Sequence, residues 1–261
     1  MTFLDNNAIQ IAIKNVKEKI RHWQYLVFSL GFPIMYTLIF YFFLGREAFS
    51  YGFPGMIIYT TAVATTSSAI SFSGDQTSGM LERLDTMPTG RKNLFLGALL
   101  SETAIVSLQI IIMFIIGYMV LQVSYIGIFE LLIGFFVAVL FGISSVGIGI
   151  IISGIAKTPD IANAIALFYY IPILFLSGSL MPFESPIVYF TPPFWAKQIY
   201  LQITILGHGL FDNLYSSSLL PPEGTAYMTP MPLWGGLLII IAFAIVFIVI
   251  GIITFQKKTK F

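Results

Sequence analysis

Six runs of mostly apolar residues, each about as long as a bilayer is thick, dictate what this chain can become. A helix needs roughly 20 apolar residues to cross the hydrocarbon core, and with no water there every backbone N–H and C=O must be paired within the segment. By that measure spans fall near 26–44, 53–73, 94–121, 129–153, 161–180 and 233–255. Composition agrees, since 57% of the 261 residues are hydrophobic and 10% are charged, more apolar surface than a soluble domain of this size can bury. The expected fold is an all-α integral membrane protein with six transmembrane helices. An amphipathic interfacial helix at 1–25 precedes a membrane domain at 26–261.

The polar connections set the topology. A turn at 45–52, a polar segment at 74–93, a turn near Ser124, the stretch 157–160 and a long stretch at 181–232 join the spans. An even number of spans puts both termini on one side. Positive charge is held back during insertion. With cytosolic termini, Lys14, Lys17, Lys19, Arg21, Arg83, Arg91, Lys92, Lys157, Lys257, Lys258 and Lys260 are cytosolic, and of the 13 Lys and Arg only Arg46 and Lys197 lie outside. The expectation is a multi-pass protein of the cytoplasmic membrane, with 181–232 external. The first apolar run begins near Leu26, without the short hydrophobic region and small-residue cleavage site of a secretory signal, so the N-terminus is expected to remain in the mature protein.

Individual segments carry further signals. Ile9, Ile13, Val16, Ile20 and Trp23 recur at helical spacing while Lys14, Lys17, Glu18 and Arg21 occupy other faces, the pattern of a helix lying on the cytosolic membrane surface or packed on a partner. The second span is rich in hydroxyls, among them Thr61, Thr65, Ser67 and Ser68, which fits close helix packing or a hydrated, amphiphile-lined path. Ser145, Gly149 and Ser153 recur every four residues in the fourth span, a small-residue series that lets helices approach. Pro172 interrupts the backbone hydrogen bonds of the fifth span and predicts a kink. Phe194 to Leu206 reads as a short helix dipping into the outer interface, since Lys197, Gln198 and Gln202 interrupt it.

Catalytic signals are sparse. The two histidines, His22 and His208, lie in no HExxH pattern, and no GxxxxGK[ST] phosphate loop occurs. A net charge of +1 argues against nucleic acid as a partner, and the absence of Cys removes thiolate chemistry. One ionisable residue, Glu102, falls well inside a span. A carboxylate is costly in lipid, so it should face the bundle interior and find hydrogen-bonding partners, the hydroxyls of the second span foremost. Such a group is either a structural anchor or takes part in substrate or proton movement. In the 74–93 loop, Ser78 and Gly79 open a short helix from Met80 to Met87, and Pro88 with Gly90 stops it. That helix is either a docking element or an ordinary tight connection.

At this point the residues resemble the permease family of type-2 ABC (ATP-binding cassette) exporters, which includes drug, antibiotic and lipid efflux permeases. Asp75, Gly79, Glu82, Leu84 and Pro88 followed by Arg91 resemble its first cytosolic loop, whose coupling helix sits in a cleft of the ATPase subunit. The run from Phe175 through Ser177, Gly178 and Pro182 to Phe183, with the later Thr191, Pro192, Pro193 and Phe194, resembles its signature at the end of the fifth span. The family often carries an Arg shortly after the second Pro segment, where this chain has Lys197. The resemblance implies two permease copies and two cytosolic ATPase subunits that hold ATP and Mg, leaving no cofactor and no enzyme activity on this chain. It also implies that Glu82 and Arg83 touch the ATPase, that Leu81 and Leu84 fill its groove, and that the second and fifth spans line a path. Thr61, Thr65, Ser68, Glu102 and Pro172 are the candidate path residues for a small amphiphile moving outward. The competing reading is an ATP-independent transporter or channel using Glu102. It lacks detectable inverted repeats and has little buried charge.

Overall fold

Gly45 decides how the first third of the chain folds. The computed structural model describes residues 6–21, 23–77, 91–180, 186–215 and 228–258. Helix α1 (Asn6–Arg21) leads into α2 (Trp23–Ala62), in which Gly45 alone leaves helical geometry, with φ 74° and ψ 165°. Only glycine adopts such a conformation without a steric penalty. The chain folds back there. Tyr36 and Tyr59 meet as a tilted pair with ring centroids 5.7 Å apart, and Tyr41 meets Phe49 edge-on at 5.5 Å. A straight helix would hold Tyr36 and Tyr59 roughly 35 Å apart at 1.5 Å per residue. Helix α2 is therefore a hairpin of two legs.

The second leg begins at Arg46 rather than at residue 53, correcting the expected 45–52 turn. One positive-φ glycine reverses the chain, so the polar residues after it can join the helix. They find partners there: Arg46 Nε donates to the Gln122 carbonyl at 3.0 Å, and the Ser124 N–H donates to Ser50 Oγ at 3.3 Å. Past the turn residue Val63, α3 (Ala64–Thr77) continues the second leg. The chain then forms α4 (Arg91–Phe114), whose end widens into a π-helix at Ile115–Val120, followed by α5 (Ile128–Ile155) and α6 (Pro159–Leu176). After a 3-10 turn at Pro186–Phe190 come α7 (Pro192–Thr204), the short antiparallel strands β1 (Asn213–Tyr215) and β2 (Met228–Pro232), and α8 (Leu233–Lys258).

Among the described residues, five helical segments are long and apolar enough to cross a membrane, and the first, Ser29–Thr77, contains the hairpin reversal at Gly45. Helix α7, at 13 residues, reaches only about 20 Å and stays short of a crossing. The loops place α1, the end of α3 and the start of α4 at one end of the bundle, called here the α1 end. Gly45, the end of α6 and α7 lie at the other, the α7 end.

Helix α5 is the centre of the packing. Lipid tails are as apolar as Leu, so membrane helices hold together through close backbone approach more than through exclusion of water. A Cβ built on Gly142 would come 2.8 Å from Val106 of α4, one on Gly147 would lie 3.0 Å from the backbone of α8, and one on Gly149 would press on the Thr65 carbonyl at 2.5 Å and collide with Ser68. Ser145 and Ser153 are buried alongside, so the small-residue series lies inside the bundle. Helix α1 uses the same device: Gly97 of α4 admits Ile11, 2.8 Å from where a Cβ would stand. Ile9, Ile13 and Ile20 remain exposed on another face of α1.

Candidate functional site

Glu102 sits about three turns inside α4 with 1% of its surface exposed. Its Oε1 forms an ion pair with Lys19 Nζ of α1, and its Oε2 accepts from Ser67 Oγ of α3 at 2.9 Å. The inward orientation and the second-span hydroxyl partner follow the expectation drawn from the cost of a carboxylate in lipid. Lys19 does not. The sequence pattern places it among the basic residues of a surface helix, but it stands on the face of α1 that carries Ala8 and Ala12 and packs toward α4. Small residues at i and i+4 with a lysine eleven positions on were the available signal, since the three share one helical stripe. Asp75 of α3 lies within electrostatic reach of Lys19, Glu102, Glu18 and Lys14. The result is a charged joint that ties α1 to the two helices bracketing the 78–90 segment.

The hydroxyl-rich second span packs against α5. Thr61, Thr65 and Ser68 are all buried. Thr61 Oγ1 donates to the Ile58 carbonyl at 2.8 Å, and Ser68 Oγ donates to the Ala64 carbonyl at 2.7 Å with a longer contact to the Val146 carbonyl of α5 at 3.4 Å. Thr65 and Ser68 also meet Gly149 of α5, while the Thr61 hydroxyl is satisfied within its own helix. Pro172 lies inside α6 on an exposed face. The structure does not bring it together with Glu102, which sits at the α1 end.

At the α7 end the residues around Ser177 and Gly178 close α6 with a Schellman turn. The Ser179 N–H bonds the Leu174 carbonyl at 3.1 Å, the Gly178 N–H bonds the Phe175 carbonyl at 3.1 Å, and Gly178 takes the left-handed conformation at φ 67°. Ser177 and Ser179 share a hydroxyl hydrogen bond of 2.8 Å. The Ser179 carbonyl rests on Gly55 of the second α2 leg so closely that a Cβ there would collide with it. Helix α7 starts with Pro192 and Pro193 in its first turn, where no intrahelical N–H is needed, and is buried along its whole length. Its Lys197 donates from Nζ to the Gly178 carbonyl at 2.5 Å. Burial pushes this ammonium down to about 8. Tyr200 of α7 and Tyr118 of the π-helix join their hydroxyls at 2.8 Å.

The sequence model of the ABC-2 type transporter family matches residues 7–201, from the start of α1 through most of α7. The chain belongs to that family. This ABC-2 chain is 26% identical over 160 residues to an Escherichia coli K12 protein named "Probable multidrug ABC transporter permease YbhR", covering 57% of this chain and 43% of that protein. It is 24% identical over 208 residues to "ABC transporter G family member 20" of Dictyostelium discoideum, covering 79% of this chain and 27% of that one. The aligned region thus spans less than half the length of either relative.

Family membership covers both ends of the bundle described above. Within the ABC-2 chain, Asp75 and Arg91 belong to the described helices α3 and α4, while Gly79, Leu81, Glu82, Arg83, Leu84 and Pro88 of the loop, and Pro182 of the later signature, lie outside the described residues. Among the described residues no group of three or more His, Asp or Glu side chains is placed to hold a metal ion.

Proposed function

We propose that this chain is the permease subunit of an ABC exporter, working as a pair of copies with two separate cytosolic ATPase subunits that bind ATP and Mg. The α1 end then faces the cytosol, and a small amphiphile such as a drug, an antibiotic or a lipid-like molecule leaves at the α7 end. The observation that carries the reading is the family match, which runs from α1 through α7. The split of 11 of the 13 Lys and Arg to the α1 side supports the orientation. The charged joint of Lys19, Glu102 and Ser67 adds a mechanical argument: the loop that would dock on the ATPase begins one residue after α3 ends and returns at α4, so a push on it bears directly on the joint. In this mechanism Leu81 and Leu84 seat in the ATPase groove, and Glu82 and Arg83 meet its charges.

Glu102 does not favour the ATP-independent alternative, because both its oxygens are committed to partners on neighbouring helices. The deciding experiment is purification of the tagged chain from native membranes in mild detergent, with and without charge reversal at Glu82 and Arg83. A co-purifying ATP-hydrolysing subunit that disappears on charge reversal is the expected result. A folded chain that brings no ATPase with it would overturn the proposal.

A further inference from the structure

Lys197 is the cation that stands behind the second Pro segment, and nothing in the proposed ATPase coupling uses it. Among the described residues the ion pair found is Lys19 with Glu102, so the Lys197 ammonium is held by a backbone carbonyl instead of a carboxylate. With 4% of its surface exposed it bears a desolvation cost that an apolar residue of similar shape would avoid. The acceptor is no ordinary carbonyl. Gly178 is the left-handed residue of the turn that ends α6, and the next carbonyl in that turn, Ser179, is pressed against Gly55 of the second α2 leg. Helix α7 is in turn wedged against α5, where Tyr200 and Thr204 face Gly134, and against α8, where Ile199 and Trp195 face Gly236.

We infer that Lys197 is a positioning residue whose bond to the Gly178 carbonyl fastens the end of α6 to α7, and through Ser179 the second leg of α2, so that the three elements form one body at the α7 end. The inference rests on the permease reading for its consequence: outward opening separates this body from other elements or from the second copy, and does not peel α7 away from the turn. The depressed basicity of the ammonium is consistent with a closed, dry contact. A lysine reaches the carbonyl as a point donor, and an arginine could make the same bond with one arm of its guanidinium.

The chain has no Cys, so a single introduced thiol reports one place. Ser179→Cys, at a position 3% exposed, reports the turn, and Ser145→Cys, 1% exposed within α5, reports the bundle as a whole. The purified full-length chain in mild detergent is treated with a polar maleimide and the labelling rates are measured. Loss of one charge-assisted hydrogen bond should raise opening of the turn roughly ten- to a hundredfold. Ser179→Cys is therefore expected to label faster by that factor in Lys197→Met, to return to within about threefold of the Lys197 background in Lys197→Arg, and Ser145→Cys to remain protected throughout. Equal protection of Ser179→Cys in Lys197→Met would overturn the inference. So would parallel exposure of Ser145→Cys, which would mean general loosening, or failure of Lys197→Arg to restore protection. If Lys197→Met yields no folded chain, Lys197→Gln, whose amide stops short of the carbonyl, carries the same expectations. Labelling needs neither the ATPase nor a transport substrate, so its failure and the failure of the permease reading are separate results.

Discussion

Replacing Lys19 by Met removes one charge of a buried pair and keeps most of the side-chain volume. The Lys19 side chain is 18% exposed and that of Glu102 2%, so the variant strands a carboxylate that retains Ser67 as its partner and has almost no access to solvent. Breaking a buried pair from one side costs about 3–5 kcal/mol, and the partial exposure of Lys19 places this case near the lower figure. At about 2–4 °C per kcal/mol for a chain near this size, the melting temperature should fall by roughly 6–12 °C. The double variant Lys19→Met with Glu102→Met removes both charges and leaves two apolar side chains of similar length. Such replacements are often near neutral, so it should melt within about 4 °C of the parent. Thermal scans of the purified chain in one detergent at one scan rate make the comparison. Single variants that melt within about 2 °C of the parent, or a double variant that falls by the sum of the singles, would refute a buried, mutually compensating pair.

Further outcomes follow from other contacts. Gly149→Val drives a branched side chain into the Thr65 carbonyl and Ser68, a backbone contact that cannot yield cheaply, so folded yield by size-exclusion chromatography should drop sharply; an unchanged elution profile would count against the α3–α5 packing. Gly178→Ala forces a Cβ into the left-handed region at φ 67°, which should cost about 1–2 kcal/mol and lower the melting temperature by a few degrees. The folded-state pKa of Lys197 is lowered from 10.5 to about 8, so between those values the unfolded chain binds more protons and stability rises with pH. The contribution amounts to about 3 kcal/mol across the window, fully present above the unfolded value and lost as pH falls through about 8. Melting from pH 7 to 10.5 should show this slope in the parent and lack that component in Lys197→Met; identical slopes would sink it.

The spans could be read from the chain because lipid imposes a one-dimensional rule: a long apolar run must become a self-satisfied helix whatever lies beside it. The same solvent argument turned Glu102 inward and pointed it at the second-span hydroxyls, of which Ser67 is the partner found. The short helix expected from Phe194 to Leu206 is present but starts at Pro192, because a proline pair fits the first turn of a helix, where no intrahelical N–H is needed. Other features depend on which surfaces meet, and no local rule reports that. The Gly45 reversal hid within a polar stretch that looked like a longer loop, because Arg46 and Ser50 become acceptable in a helix once Gln122 and Ser124 supply partners from 74 residues or more away. That Thr65 and Ser68 of the second span face Gly149 of α5 is likewise a matter of which helices stand side by side.

The two lysines mark the boundary most sharply. Read along the chain, Lys19 is one of several cytosolic cations and Lys197 an interruption in an apolar segment, because charge and spacing report only a preference for water. Their actual environments were decided in three dimensions. Lys19 meets Glu102 across an 83-residue gap, and Lys197 meets a carbonyl made available by the left-handed turn at Gly178. The sequence by itself therefore determined that the chain is a bundle of long apolar helices and roughly where they run, since that follows from solvent and backbone preference. Only the tertiary structure decided which buried charges are compensated, and by what, because that energy exists only once particular helices stand side by side.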